Sequence, residues 1–383
     1  MKDWNSIIEK SDAILSPIFK GDSVFLLFHD DADGCTAAAI ILDLIARKTS
    51  KEIEDFTSPE KHSIELTPRT IAAIAETGPK YIVSVDLALT RSVNKAKSLL
   101  DALNARMLVY DHHVQSRHQR WPETLIHLNP LNFNLGNKPA SCYAYMLHRH
   151  YTGGDKACWT AATGVVADYR TAECKDLIEE TKVKHPSLYP FETVDQETAI
   201  NSPLMTMAYL VNAGYQHSDY SGARLAVETL VEAMRLDDPH TLLEGKTKNA
   251  KTLQKFKTEI DEEYKQCVKN FDFCAEFHLN SRLAFYSIDP KYNITSQLAT
   301  ELQHKNPSTI IAVISPETPT TIKISLRKGS KVRANLSDLA ESTVRNLANA
   351  SGGGHPDAAG CVLQKKDIDI WKKTIVKALD STA

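Results

Sequence analysis

The sequence contains no apolar run near the ~18 residues that a membrane-spanning helix needs, so no membrane partner is expected. Its first residues, MKDWNSIIEKSDAILSPIF, scatter charges among the apolar positions and do not read as a secretory signal. There is no CxxC pair, and the seven cysteines are an odd number. Neither a disulfide framework nor a zinc ribbon is expected from that pattern. A reducing cytoplasm is the natural setting. Charge of one sign is also missing: 45 Lys and Arg stand against 48 Asp and Glu, a net charge of −3. A general DNA-coating role is disfavoured by this balance, although one local basic groove remains compatible with it. Internal repeats and low-complexity tracts are absent, and 42% hydrophobic with 24% charged residues describes an ordinary folded chain.

The 383 residues suggest two or three domains. In the first half, short apolar runs alternate with helical patterns. Residues 24–28 (VFLLF), 81–85 (YIVSV), 107–110 (MLVY) and 125–128 read as strands, with helices at about 35–48, 141–151 and 157–169. Continuous apolar strands alternating with helices imply a parallel sheet covered on both faces. Residues 175–275 carry only helical patterns. Strand signals return at 283–288, 310–314, 320–325 and 360–363, with helices at 336–348 and the C-terminus. The expected class is α/β: an N-terminal parallel-sheet domain over 1–190, a helical connector over 191–277, and a smaller C-terminal α/β domain over 278–383.

Acidic and imidazole side chains fall at the strand ends. His29, Asp31 and Asp33 follow the first strand, Asp86 the second, and Asp111, His112 and His113 the third. Loops at the carboxyl ends of an open parallel sheet converge on one crevice. Crowded carboxylates repel one another, and no Lys or Arg lies among these residues, so a divalent cation is the economical compensation. Carboxylates with a minority of imidazoles suit Mn(II), Mg(II) or Fe(II). The donors exceed what one ion needs, which points to a two-metal site of the kind that activates water and stabilises an in-line phosphoryl displacement. Each residue alone has a plainer reading. Asp33-Gly34 is a common turn, Asp86 a helix cap, and His113 a half-exposed histidine. Their joint occurrence at successive strand ends favours the metal site.

His29-Asp30-Asp31-Ala32-Asp33-Gly34, Asp86 after a strand, and Asp111-His112-His113 resemble the motifs of the DHH phosphoesterase superfamily. Gly164-Val165-Val166-Ala167-Asp168 resembles its fourth motif. Ser351-Gly352-Gly353-Gly354-His355 resembles the GGGH signature of the DHH-associated C-terminal domain, and Ser325-Leu326-Arg327 its serine–arginine element. The resemblance implies two manganese ions per chain, with magnesium as the substitute. Their ligands would be His29, Asp31, Asp33, Asp86, His112 and Asp168, with Asp86 bridging. His113 would face the scissile phosphate and act with Asp86 in catalysis, Asp111 would orient the histidines, and Asp30, with no assigned role, would point away or cap the next helix.

In the C-terminal element, three consecutive glycines permit positive φ and close backbone approach to a phosphate. Their successive N–H groups are expected to form an anion-binding concavity. His355 adds a donor, and Arg327 can hold a phosphate bidentately. Substrate binding is therefore placed on Arg327, Gly352, Gly353, Gly354 and His355. Lys323, Arg327, Lys328, Lys331 and Arg333 make the segment 323–333 a compact basic cluster, whose plainer reading is a solvated hairpin. His118, His127, His148, His150 and His217 read as ordinary surface or core histidines, and the cysteines as small apolar core residues.

Within this superfamily resemblance, the GGGH element implies enzymes acting on nucleotide phosphodiesters and disfavours the inorganic pyrophosphatases. One reading is a nanoRNase-like hydrolase of short oligonucleotides or linear dinucleotides. The other is a RecJ-like single-strand exonuclease, which the tight His-x-Asp-x-Asp spacing resembles. The near-neutral charge, the compact basic cluster and the absence of a further oligonucleotide-binding barrel after residue 383 favour short substrates. A metal-free binding or scaffold homologue is the alternative from another class, and a homodimer is left open.

Overall fold

The structure is a computed structural model that describes residues 2–60, 63–113, 120–280 and 282–380. Its contacts divide the chain into two units, Met1–Lys257 and Thr258–Ala383. His118 lies outside the described residues.

The first unit begins with α1 (Lys2–Phe19), whose Ile7, Ile14, Leu15 and Ile18 are buried. Then follow β1 (Val24–Phe28), α2 (Ala32–Thr49), β2 (Phe56–Thr57), α3 (Pro68–Thr77), β3 (Tyr81–Val85), α4 (Val93–Leu103), β4 (Arg106–Tyr110) and β5 (Leu125–Leu128). The five strands form one parallel sheet in the order β2-β1-β3-β4-β5. Every residue of β1 is buried, as a strand covered on both faces requires. Leu26 and Phe28 enter the core under α2, whereas Phe25 and Leu27 enter the core under α3 and α4. This two-residue alternation sets which way the carboxyl-end loops leave the sheet.

Helices complete the unit: α5 (Ala140–Thr152), α6 (Cys158–Ala167), α7 (Lys175–Lys184), α8 (Gln196–Ile200), α9 (Pro203–Leu236), α10 (His240–Glu244) and α11 (Lys248–Cys274), within which the division between units falls. α9 is two helices joined at Ser218 and Asp219, where Asp219 takes φ 52° and ψ −139°. The joint draws Gly214 and Gly222 together so closely that a Cβ on Gly222 would lie 1.9 Å from the Gly214 carbonyl oxygen.

The second unit contains β6 (Glu276–His278), β7 (Leu283–Ser287), α12 (Thr295–Lys305), β8 (Ile310–Pro316), β9 (Thr321–Lys328), α13 (Leu336–Val344), β10 (Ser351–Gly354), β11 (Ala358–Gln364) and α14 (Ile368–Asp380). The sheet order is β10-β11-β9-β8-β7-β6, with β7 and β8 parallel and the other pairs antiparallel. Ala284, Tyr286, Ile311 and Val313 pack with Leu298 and Leu302 of α12 on one face. Phe285, Ala312, Ile324 and Leu326 pack with Leu339 of α13 and Trp371 of α14 on the other. The fold is thus α/β, with an N-terminal five-stranded parallel sheet, a helical middle and a C-terminal mixed sheet. No helix among the described residues is long and apolar enough to cross a membrane.

Candidate metal centre

Three strand ends build the centre. After β1, Asp31 caps α2 by accepting the Gly34 N–H at 3.0 Å. Its other oxygen lies 2.9 Å from His29 Nδ1. The turn is tight enough to require glycine, because a Cβ on Gly34 would lie 2.2 Å from the His29 carbonyl oxygen. At the end of β3, Asp86 adopts φ 62° while its N–H reaches the Tyr110 carbonyl at 2.7 Å. A left-handed aspartate at the end of a buried strand stores strain that surrounding structure must hold in place, and such positions concentrate at functional sites. After β4, Asp111 is fully buried and accepts both the His113 N–H at 3.1 Å and His113 Nδ1 at 2.6 Å.

Two groups of candidate ligand atoms result. His29, Asp31 and Asp86 form one; Asp86, His112 and His113 form the other. Asp86 belongs to both, with one oxygen 3.4 Å from His29 Nδ1 and the other 3.2 Å from His112 Nε2. Asp33 and Asp168 stand outside these two groups among the described residues. Asp33 is held by the start of α5, accepting from the Ala140 N–H at 2.8 Å, the Ser141 N–H at 3.0 Å and the Ser141 hydroxyl. Asp168, at the end of α6, has Oδ2 3.8 Å from His112 Nδ1.

The electrostatics match a cluster built around a missing positive charge. Burial raises the Asp33 carboxyl well above the ordinary range, and Asp86 and Asp168 push it further. Burial together with Asp86 and Asp31 raises Asp168 to about 6 against the pull of His112. Burial opposes the charge on His112, but Asp86, Asp33 and Asp168 outweigh it and raise that imidazole to about 10. His29 rises in the same way beside Asp31 and Asp86. Asp111 is the opposite case: burial is overcome by its bonds to His113 and His127, and it is held well below the usual carboxylate range.

The donor chemistry fits divalent cations. Asp86 Oδ1 and Asp168 Oδ2 are buried without a well-formed hydrogen bond, facing His112 Nε2 at 3.2 Å and Arg170 Nε at 3.5 Å, and buried carboxylate oxygens so weakly satisfied favour a cation. Oxygen and imidazole donors suit Mn(II) or Mg(II). The neighbouring thiol is no competitor, since Cys35 Sγ faces the Asp30 carbonyl at 3.4 Å and burial keeps it protonated.

Several neighbours were invisible in the sequence. Arg170 Nε lies 3.5 Å from Asp168 Oδ2, so the premise that no basic residue attends the cluster is corrected. With its amide oriented to satisfy its surroundings, Asn137 donates to the His112 carbonyl at 2.8 Å and accepts from Arg170 Nη2 at 2.9 Å. His127 on β5 lies 3.6 Å from Asp111, its ring stacked on Trp121 at 4.3 Å. His148 lies 2.8 Å from Asp43. Both histidine side chains are buried against these carboxylates, the core-satisfied alternative of the sequence reading. Asp30 neither points away nor caps α2: it is buried, 3.7 Å from His29 Nε2. None of these signals is periodic or motif-like. Only the rarity of buried unpaired His and Asp gave a hint of them.

In the second unit the three glycines do not form a loop. They make edge strand β10, with Gly352 opposite Cys361, Gly353 opposite Gly360 and Gly354 opposite Ala359. Of the three, only Gly354 uses the positive φ that glycine permits, at 144°. Gly352 is needed for a different reason: a Cβ there would lie 2.5 Å from the Ala340 carbonyl oxygen of α13. His355 is exposed in the following turn, its N–H bonded to Ala358 at 2.8 Å. Ser325 and Arg327 share the α12 face of β9, bonded to Ser296 at 3.1 Å and Thr300 at 3.1 Å. The basic cluster is divided: Lys328 pairs with Asp357 at 2.8 Å, and Lys331 and Arg333 line a separate groove.

Residues 280–381 match the DHHA1 domain family. No curated protein sequence matches the chain. Among solved structures, a DHH-domain protein described as a member of a family of ribosomal proteins aligns at 17% identity and TM-score 0.68, over 94% of this chain and 87% of its own. RecJ from Thermus thermophilus in complex with Mn2+ aligns at 13% identity and TM-score 0.71, over 97% of this chain and 54% of its own. CDC45 from Entamoeba histolytica aligns at 10% identity and TM-score 0.58, over 98% of each chain. The chain thus spans about half the length of the RecJ it resembles. These likenesses establish a shared fold.

Proposed function

We propose that this chain is a two-metal phosphodiesterase of the DHH/DHHA1 phosphoesterase superfamily that hydrolyses short oligonucleotides or linear dinucleotides, a reading supported by its DHHA1 match and its fold likenesses. The observation that carries the reading is Asp86, buried at a strained strand end and common to both groups of candidate ligand atoms. One carboxylate shared by two clusters is what a pair of neighbouring divalent ions requires. The fold match to RecJ, solved with Mn2+ and, separately, with Mg2+, makes those ions the ones to test first.

His29, Asp31, Asp33, Asp86, His112 and Asp168 would hold the ions, with Asp33 oriented by the α5 N-terminus. When bound, the ions would supply a water nucleophile at neutral pH and neutralise charge developing on phosphorus. The protein's own groups do the rest. Asp111 fixes the His113 ring through Nδ1, so that its other nitrogen can donate to a phosphoryl oxygen. Arg327, Gly352, Gly353, Gly354 and His355 would bind a non-reacting phosphate of the substrate. The segments 1–190, 191–277 and 278–383 would then serve as catalytic domain, connector and substrate domain.

RecJ-like exonuclease action is the second reading, favoured by the His29-x-Asp31-x-Asp33 spacing. A metal-free scaffold is the third. One experiment addresses the central claim: manganese bound per chain, measured alongside manganese-dependent hydrolysis of a linear dinucleotide. Two ions and turnover are expected for the native chain. Asp86→Asn is expected to lose ions and to reduce turnover by at least about 10³-fold, the scale of removing one preorganised electrostatic group. Full activity in Asp86→Asn, or no bound ion in the native chain, would sink the reading.

A further inference from the structure

We propose that a groove on the second unit, on the sheet face opposite Arg327, docks an acidic, aliphatic-rich peptide segment of a partner protein. The groove has a volume of about 920 Å³ and lies between the segment 331–335, helix α13 and the end of α14. Its floor is aliphatic: Ile310 and Leu339 are buried there, with Val332, Ala334 and Leu379 beside them. Its rim carries four cations, Arg282, Lys331, Arg333 and Arg345, all exposed. None of the four makes an ion pair among the described residues, whereas Lys328 close by is paired with Asp357. Ser325 and Arg327 lie on the other face of the same sheet, bonded to α12, whereas the groove opens beside α13, against which Gly352 packs.

The lining chemistry selects the occupant. An apolar floor ringed by cations without ion pairs complements aliphatic anchors flanked by carboxylates. No aromatic ring lines the groove, so it offers no platform for stacking bases. Asp338 and Glu341 project from the α13 wall at a three-residue spacing, and those carboxylates would repel a phosphate backbone running along the groove. A peptide avoids that repulsion by placing a neutral or basic side chain opposite them.

The test is selection of random displayed peptides on the full chain, followed by fluorescence-polarisation titration of the enriched sequences. The expected result is enrichment of peptides combining Leu, Ile or Val with Asp or Glu. Their affinity should fall about tenfold in the double variant Lys331→Glu/Arg333→Glu and again in Arg345→Glu, and should weaken with added salt. These side chains are exposed, so the variants should keep the native melting temperature. Absence of enrichment, enrichment of basic or aromatic peptides, or indifference to the charge reversals would overturn the proposal. So would binding of a short single-stranded oligonucleotide that is lost in the same variants. Manganese content and dinucleotide turnover play no part in this test, so its failure is distinguishable from failure of the phosphodiesterase reading.

Discussion

At the scale of single residues, the centre is a set of side chains whose charges are mutually inconsistent without a cation. Asp168 shows this most directly. Burial, with Asp86 and Asp31, raises its carboxyl from the ordinary 3.8 to about 6. A proton and a metal ion compete for such a group, so manganese affinity should rise as pH increases through about 6. Calorimetric titration at pH about 5 and about 7 checks this, and equal affinity at both would contradict it. The stability of the metal-free protein should move the other way. A raised carboxyl binds its proton more tightly in the folded state, so the cost of ionising it is small at about pH 4, near the unfolded value, and fully present above about pH 6. His112, raised to about 10, stays protonated in the folded state throughout that window and leaves the sign unchanged. Asp168→Asn should therefore flatten the rise in metal-free melting temperature between about pH 6 and about pH 4. An unaltered pH profile in that variant would place the repulsion elsewhere.

At the scale of elements, positioning depends on close helix approach. A Cβ on Gly164 of α6 would lie 2.3 Å from Thr36 Oγ1 and 2.6 Å from Ser141 Oγ, and Ser141 is the residue that holds Asp33. Gly164→Ala is expected to cost about 1–3 kcal/mol, as overpacking a tight interface does. Thermal denaturation checks it, and a native melting temperature would mean that α6 shifts without strain. The strands of the first unit were legible because VFLLF, YIVSV and MLVY are continuous apolar runs. The site followed from them, since Asp31, Asp86 and Asp111 each sit where a strand must stop. Other elements were not legible. Gly352-Gly353-Gly354 carries no side chain to pack, so nothing local announces a strand, and its partners in β11 supply the ladder. The joint in α9, by contrast, falls in the gap between helical patterns at 194–213 and 223–235, and the Gly214–Gly222 approach closes it. Asn137 and Arg170 come from loops far along the chain from Asp86. Their role depends on tertiary placement that no spacing encodes.

At the scale of the whole molecule, charge is the property that separates the two substrate readings. A net charge of −3 spread over 383 residues gives no general attraction for a polyanion. Within the proposed substrate element, Arg327 is the one permanently charged residue. Burial draws its guanidinium below its usual range without making it a neutral donor at physiological pH. A substrate held through one or two phosphates releases few counterions. With single strands contributing a slope of about −0.7 per neutralised phosphate, log affinity against log salt should fall with a slope of only about −1. A long strand tracking an extended basic path would show a slope several times steeper and a preference that grows with length. The deciding measurement is manganese-dependent hydrolysis of a ladder from dinucleotides to long single strands, with kcat/KM for each rung taken at several salt concentrations. The expected outcome is fastest turnover at the shortest rungs with a shallow salt slope. Turnover that rises with length, with a salt slope that steepens in step, would transfer the assignment to the exonuclease reading. Both outcomes would leave the proposed two-ion centre and its shared Asp86 untouched.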